Sequence, residues 1–177
     1  MLTVSACKKN TPAACGSGLL CATVDGTNYT GDPYSSTSSG FLGLNTNYNG
    51  SYAQLIINSG APGGYNLNVS SNNGNANTSA TWQIDFEIKQ LPSNGATYTS
   101  ASGAVSFDYY DGSISTQFHY ITDSAHTGTV TINNIDTINN LVSGTFSYTA
   151  NEPTGQNYTP ATHQISAGSF TNLLIRR

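Results

Sequence analysis

The sequence predicts an all-β protein, an antiparallel β-sandwich or partly open barrel of about ten strands with no substantial helix. Three observations support this prediction. Apolar and polar residues alternate in several segments, which is the period of a half-buried strand. Asp-Gly and Asn-Gly pairs, which supply the positive φ angles that tight hairpins need, separate strand-forming segments. No segment has the period of about 3.6 residues that marks an amphipathic helix.

The clearest strand runs from Trp82 to Lys89, where the even-numbered residues are apolar and the odd-numbered ones are polar. Because successive side chains of a strand point to opposite faces, the apolar set would be buried and the polar set solvated. Tight hairpins are predicted at Asp25-Gly26, Asn49-Gly50 and Asp111-Gly112. We predict strands at about 19–24, 27–31, 40–47, 51–58, 65–70, 80–90, 104–110, 113–122, 128–135, 141–150 and 163–175.

Composition excludes several classes of protein. Charged residues make up 8% of the 177 residues, against about 25% in typical globular proteins, which argues against a coiled coil or a helical bundle. The chain has five Lys and Arg residues, four of them close to its two ends. No basic patch can therefore follow a phosphate backbone, and we expect no nucleic-acid partner.

The N-terminal residues predict an exported lipoprotein. Val4-Ser5-Ala6-Cys7 is similar to a bacterial lipobox, in which an aliphatic residue and two small residues precede the cysteine that receives the lipid. Only six residues precede Cys7, fewer than the apolar run of about 7–15 residues in a signal peptide. We therefore divide the chain into a signal remnant at 1–7, a flexible tether at 8–18 and a single β-sandwich domain at 19–177. Acylated Cys7 would attach the domain to a membrane.

The three cysteines have two interpretations. If Cys7 carries lipid, Cys15 and Cys21 remain to form a disulfide. A bridge across so short a loop stabilises a fold by about 2 kcal/mol in the chain-entropy model. The alternative is three buried or reduced thiols.

Two regions resemble a family of small Bacteroidota lipoproteins that is known only as a domain of unknown function. Cys21-Ala22-Thr23-Val24-Asp25-Gly26-Thr27-Asn28-Tyr29 is similar to the opening hairpin of that family. The segments 128–132, 141–148 and 165–170 are similar to its closing strands, with a repeated small-Gly-small-Phe rhythm at 143–146 and 167–170. The resemblance extends over about residues 19–172. It implies an exported, lipid-anchored, all-β domain and implies no activity.

The resemblance also suggests a location and a modification. Surface lipoproteins of Bacteroidota often carry acidic residues after the lipidated cysteine, whereas Lys8-Lys9-Asn10 follows Cys7 here. The outer membrane or cell surface is expected, and the periplasmic face stays open. Ser124 and Thr137 each follow an aspartate in a motif similar to the Bacteroidota O-glycosylation acceptor. The alternative is that Asp123 and Asp136 accept hydrogen bonds within turns.

No pattern in the chain predicts catalysis, and we expect no enzyme, cofactor or metal. The three histidines lack the spacing of a zinc site, and no nucleophile elbow is present. Asp85 and Glu87 lie two residues apart on one strand face, about 7 Å apart along the strand, which is within the range of glycosidase carboxylates. Gln83 and Lys89 share that face, so a solvated surface is the preferred interpretation.

Eleven tyrosines suggest a binding surface. Tyr109 and Tyr110, with Tyr120 across the hairpin, could form an exposed platform for a sugar ring, although one of Tyr109 and Tyr110 must face each way. The alternative is cross-strand packing.

We therefore predict a non-enzymatic, lipid-anchored binding or structural module of the cell envelope, whose partner is an envelope protein or a glycan. The alternative is a filament subunit joined to copies of itself by strand addition, with Leu2–Cys7 or Phe170–Ile175 as the donor strand.

Overall fold

The structure, a computed structural model, describes residues 15–39, 45–73, 81–112 and 117–176. It is all-β, as predicted. Among the described residues, helical geometry is limited to single 3-10 turns at Pro62–Gly64 and Ser100–Ser102. The strands are β1 (Leu19–Val24), β2 (Thr27–Thr30), β3 (Ser35–Ser39), β4 (Asn45–Asn49), β5 (Tyr52–Ile57), β6 (Tyr65–Asn72), β7 (Trp82–Ile88), β8 (Thr97–Thr99), β9 (Val105–Asp111), β10 (Phe118–Ile121), β11 (Gly128–Asp136), β12 (Leu141–Asn151) and β13 (Thr162–Arg176).

Eleven strands form one mixed sheet in the order β2-β1-β13-β5-β6-β7-β9-β10-β12-β11-β8, and β3 and β4 form a separate ribbon. Since β13 also pairs with β12, the pairings run from β13 through β5, β6, β7, β9, β10 and β12 back to β13. The predicted sandwich or partial barrel is therefore confirmed. One detail differs from the antiparallel prediction, because β13 runs parallel to β5 at Ile175 and Arg176.

Strand β13 joins the two halves of the fold. One of its edges pairs with β12, and the other pairs first with β1 and then with β5. Phe170, for example, lies between Gly144 of β12 and Leu20 of β1. The segment Phe170–Ile175, one of the two suggested donor strands, is therefore not free in this structure: β12 pairs with one of its edges, and β1 and β5 pair with the two ends of the other.

The core lies between the two layers of the folded sheet. Strand β7 buries its four even-numbered residues and turns the others outward, as its alternation predicted. The Phe86 ring is central, with ring centroids 5.7 Å from Phe107, 5.4 Å from Phe146 and 5.6 Å from Phe170. Tilted aromatic pairs at these distances add favourable ring contacts to the hydrophobic burial.

Two glycines make room for this aromatic core. Gly144 lies opposite Phe170, and Phe146 lies opposite Gly168, in the pairing of β12 with β13. A Cβ atom on Gly144 would meet the Phe170 ring and the carbonyl oxygen of Thr131, and one on Gly168 would meet the Phe146 ring. Each phenylalanine therefore covers the glycine of the other strand, which gives the Gly-x-Phe rhythm a steric reason.

The turn predictions have mixed outcomes. Asp25 and Gly26 close the β1–β2 hairpin with φ of 48° and 85°, as predicted. The prediction of a tight hairpin at Asn49-Gly50 is wrong, because the two strands that flank it do not pair with each other: β4 pairs with β3, and β5 pairs with β6. Asp111-Gly112 does begin a hairpin connection, but Asp111 pairs with Phe118, so the connection is longer than two residues.

Two strands, β3 and β8, escaped prediction. β3 consists of Ser and Thr, and the three-residue β8 places one Tyr between two Thr residues, so neither has an apolar alternation long enough to indicate a strand. The predicted strand at 40–47 coincides with the structure only from Asn45, because 40–44 lie outside the described residues. The same holds for 113–116 of the strand predicted at 113–122.

The predicted disulfide is present and joins Cys15 to Cys21 of β1, with 5.7 Å between the Cα atoms. The Gly18 N–H also donates to the Thr171 carbonyl at 2.7 Å. Contacts of the domain therefore reach back to Cys15, within the predicted tether. Cys7 and the rest of residues 1–14 lie outside the described residues. Within the described ranges, no helix is long and apolar enough to cross a membrane.

We predict that Gly144→Ala and Gly168→Ala destabilise the fold by about 1–3 kcal/mol each, the usual cost of overpacking a core. Gly144→Ala should cost more, since the Thr131 carbonyl cannot rotate away as a ring can. Gly60→Ala is the matched control, because the nearest atom to its new Cβ would be the Asn58 Oδ1 at 3.4 Å. Urea denaturation measures all three, and equal stabilities would contradict the steric role of the two core glycines.

Candidate functional site

A polar groove lies on the outer face of the layer formed by β5, β6, β7 and β9. It arises because each of these strands sends its apolar residues inward and its polar residues outward, as β7 does with Gln83, Asp85 and Glu87. The groove has a volume of about 340 Å³. The residues that line it are Tyr52, Gln54, Asn68, Val69, Ser70, Gln83, Asp85, Phe86, Glu87, Ser106 and Asp108.

Carboxylates from neighbouring strands meet in this groove. Asp85 of β7 lies directly opposite Asp108 of β9. The Gln83 Nε2 donates to the Asp85 Oδ2 at 2.5 Å, and the Asn66 Nδ2 donates to the Glu87 Oε1. The groove therefore combines acceptor-only carboxylates with amides that both donate and accept.

An aromatic pair flanks the carboxylates. The His119 Nε2 lies 2.6 Å from the Asp108 Oδ1, and the Tyr110 ring stacks on the His119 ring with centroids 4.4 Å apart and planes 4° from parallel. Tyr110 is also the register partner of Gln83, which lines the groove. Two rings stacked face to face thus lie beside the hydrogen-bonding groups.

Asp85 is the most perturbed acid of the groove. Burial raises the pKa of Asp85 to about 6, and the negative charge of Asp108 adds to the effect against the hydrogen bonds from Ser70 and Gln83. The Oδ1 atoms of Asp85 and Asn68 are buried without a hydrogen-bond donor among the described residues. The floor of the groove therefore has acceptor capacity that the described side chains do not use.

The predicted tyrosine platform is wrong for two of its three members. Tyr109 and Tyr120 are each 1% exposed, because both rings point into the core, where their centroids lie 6.1 Å apart. Cross-strand packing, the alternative interpretation, holds for this pair. Tyr110 faces the other way, as strand alternation requires, and is the one tyrosine of the three beside the groove.

A buried histidine completes the core at the end of the fold where Tyr109 and Tyr120 lie. The His163 Nδ1 lies 2.6 Å from the Asp25 Oδ2, and the rings of Tyr109 and Tyr120 meet the imidazole edge-on with centroids 5.0 and 4.4 Å away. The His163 Nε2 has no hydrogen-bond partner among the described residues, and the Asp111 Oδ2 lies 3.9 Å from it. This arrangement holds the β1–β2 turn against β13.

All three histidines lie beside an aspartate, an arrangement that was not predicted from the sequence. The pairs are His119 with Asp108, His126 with Asp123 and His163 with Asp25. Only His126 and Asp123 are close in sequence, and the Asp-x-x-His spacing was the one local signal for any of these pairs. The other two pairs depend on strand register, which local patterns do not reveal.

The two proposed O-glycosylation sites lie in exposed turns. The Asp123 Oδ1 accepts from the backbone N–H of Ala125 and His126, and the Asp136 Oδ1 accepts in the same way from Ile138 and Asn139. The alternative interpretation of both aspartates as turn formers is therefore correct. Ser124 and Thr137 are exposed within these turns, and their glycosylation stays a prediction.

Within the ranges that the structure describes, no group of three or more His, Cys, Asp or Glu side chains could hold a metal ion. Comparison of the chain with known protein families, with curated proteins and with solved structures finds no match. The resemblance to Bacteroidota lipoproteins stays a prediction, and function must be inferred from the geometry of the site.

We predict that Asp85→Asn stabilises the protein at pH 8 and not at pH 4. The folded-state pKa of about 6 lies above the model-peptide value of 3.8, so between these values the folded protein holds a proton that the unfolded chain releases. Stability is therefore lost as the pH rises from about 4 to 6, by on the order of 3 kcal/mol at pH 8. Asparagine stays neutral and removes this loss.

Urea denaturation of both proteins at the two pH values measures the effect. Asp136→Asn is the control, and its effect on stability should have the opposite sign. Hydrogen bonds from Asn139 and Ile138 lower the pKa of the Asp136 carboxyl. The ionised carboxylate therefore stabilises its turn, and asparagine should destabilise the protein at pH 8. An equal difference between wild type and Asp85→Asn at pH 4 and pH 8 would show that Asp85 is not a buried acid.

Proposed function

We propose that the protein is a non-enzymatic, exported binding module of the bacterial cell envelope and that it binds a neutral glycan in the polar groove. The observation that carries the proposal is the groove itself. Amide, hydroxyl and carboxylate groups line it, and the stacked Tyr110–His119 pair lies beside it. Sugar hydroxyls donate and accept hydrogen bonds with such groups, while the C–H face of a sugar ring packs against aromatic rings.

Charge supports a neutral ligand. Asp85, Glu87 and Asp108 all line the groove, and no Lys or Arg within the described ranges does. Like charges in a shared site repel, so a uronic acid or a phosphorylated sugar would bind unfavourably. A neutral sugar would instead use the carboxylates as hydrogen-bond acceptors, which are stronger than neutral ones.

Two observations support export. The Cys15–Cys21 disulfide fits an oxidising compartment, where such bonds persist. The lipobox-like Val4–Cys7 would supply a lipid that anchors the protein in the membrane. The location proposed is the outer membrane, at the cell surface or on its periplasmic face.

A filament subunit is the second candidate. Strands β2 and β8 end the order of the sheet and leave edges that another strand could join. They are only four and three residues long, however, and short edges limit strand addition. With Phe170–Ile175 paired on both edges, Leu2–Cys7 is the remaining donor. Regular filaments of the purified chain in electron micrographs, lost on deletion of 2–7, would favour this candidate.

We predict that Tyr110→Ala and Gln83→Ala each weaken glycan binding at least tenfold, because one removes the stacking surface and the other an amide of the groove. A glycan array of neutral and acidic envelope sugars identifies the ligand, and isothermal titration calorimetry measures affinity. Thr145→Ala is the control, since Thr145 is exposed on β12, outside the groove. Absence of any neutral ligand, or equal loss in the control, would contradict the glycan site.

We predict that the protein purified from the membranes of its native host carries acyl chains on Cys7. Mass spectrometry of the N-terminal peptide measures them directly. Cys7→Ser should move the protein from the membrane fraction to the soluble fraction, because serine lacks the thiol that would receive the lipid. An unmodified Cys7 in membrane-bound protein would overturn the lipid anchor and leave the groove unaffected.

A further inference from the structure

A second cavity, apolar where the groove is polar, opens between the two layers of the fold. Its volume is about 370 Å³. Five aliphatic side chains from five different strands, β5, β6, β11, β12 and β13, form its walls, and the segment 91–94 covers one side. The residues that line it are Leu55, Leu67, Leu91, Pro92, Ser93, Asn94, Ile135, Thr137, Asn140, Val142 and Ile175.

Hydrogen bonds hold the walls of this cavity in place. The Leu91 N–H donates to the Pro62 carbonyl at 3.2 Å, and the Asn94 Oδ1 accepts from the Ile135 N–H at 2.5 Å. Across the cavity, the Ile175 N–H donates to the Asn140 carbonyl at 2.7 Å. The covering segment is thus tied to the body of the domain by protein–protein hydrogen bonds, which favours a largely pre-formed site.

The lining identifies the chemistry of an occupant. Leu55, Leu67, Ile135, Val142 and Ile175 present only methyl and methylene groups, and none of the described aromatic or charged side chains lines the cavity. The polar residues of the lining, such as Ser93 and Thr137, are neutral hydroxyls and amides. Interiors are normally packed without voids larger than a water molecule, and an aliphatic cavity of this size favours apolar guests over water.

We propose that this cavity binds one aliphatic chain that ends in a neutral polar head group, such as an alkyl alcohol or the acyl chain of a neutral lipid. The chain lies among the aliphatic side chains, and the head group meets the neutral hydroxyls and amides. Leu91, which is 49% exposed, covers the chain where it enters. An ionised head group is disfavoured, since no Lys, Arg or His among the described residues lines the cavity to compensate for its lost hydration. This site is separate from the polar groove and independent of the proposed glycan.

The experiment compares ligands that differ in one feature. Octanol, decanol and dodecanol are titrated into the wild-type protein and followed by thermal unfolding and by methyl NMR, with ionised decanoate as the charged partner of decanol. A ligand that binds only the folded state raises the unfolding temperature, and the rise grows with the logarithm of its free concentration above its Kd. We expect saturable binding of the alcohols, shifts concentrated at the methyl groups of Leu55, Leu67, Ile135, Val142 and Ile175, and at least tenfold weaker binding of decanoate.

Two variants test the location. Ile135→Phe places a ring in the cavity and should weaken decanol binding at least tenfold. Leu174→Phe makes a comparable change at a 39% exposed position of β13 that does not line the cavity, and should bind as the wild type does. Should Ile135→Phe fail to fold, the wild-type methyl shifts still decide the question.

Three results would overturn the proposal: no saturable binding, shifts spread over other methyl groups, or Ile135→Phe that folds and binds unchanged. Decanoate that binds as tightly as decanol would overturn the neutral head group.

Discussion

The fold depends on the contact between two glycines and two phenylalanines in the pairing of β12 with β13. Gly144 faces Phe170 and Gly168 faces Phe146, so the rings occupy the space that side chains at the glycines would need. Phe86 of the opposite layer then packs against both rings. If either glycine carried a side chain, a ring would have to move, and the distance between the layers would change with it. The apolar cavity between the layers therefore relies on the separation that these rings set.

Local patterns predicted most of this architecture. Strand β7 shows why: its alternation of Trp82, Ile84, Phe86 and Ile88 with polar residues allows only one face to be buried. Asp25-Gly26 was equally clear, because a two-residue turn with positive φ has few alternatives. Strand β8 lacked such a signal, since Thr97–Thr99 has only one buried side chain, Tyr98, beside its pairing with Thr129–Thr131. Asn49-Gly50 was wrongly predicted as a tight hairpin. Gly50 does have a positive φ, but it lies in the connection from β4, which pairs with β3, to β5, which pairs with β6.

The candidate site was less predictable, since it depends on register between strands that are distant in sequence. Asp85 could be recognised as facing outward, but its neighbour Asp108 comes from a different strand. Their proximity and the burial that raises the pKa of Asp85 follow from the assembled sheet. Tyr110 and Tyr109 illustrate the same limit: alternation predicted that they face opposite ways, and only the fold decides that Tyr110 is the outer one. The polar residues that point outward from β5, β6, β7 and β9 keep this face solvated, and they also supply the donors and acceptors of a binding surface.

Strand β13 sets the order in which the chain can become folded. It supplies the neighbour for β1, for β5 and for one edge of β12, so a nascent chain that ends before residue 162 has three strands with open edges. The pairings of β13 with β1 and β5 also form slowly, because a long loop must close before these contacts are gained. Until β13 is in place, these open edges stay exposed to other strands, to chaperones and to proteases.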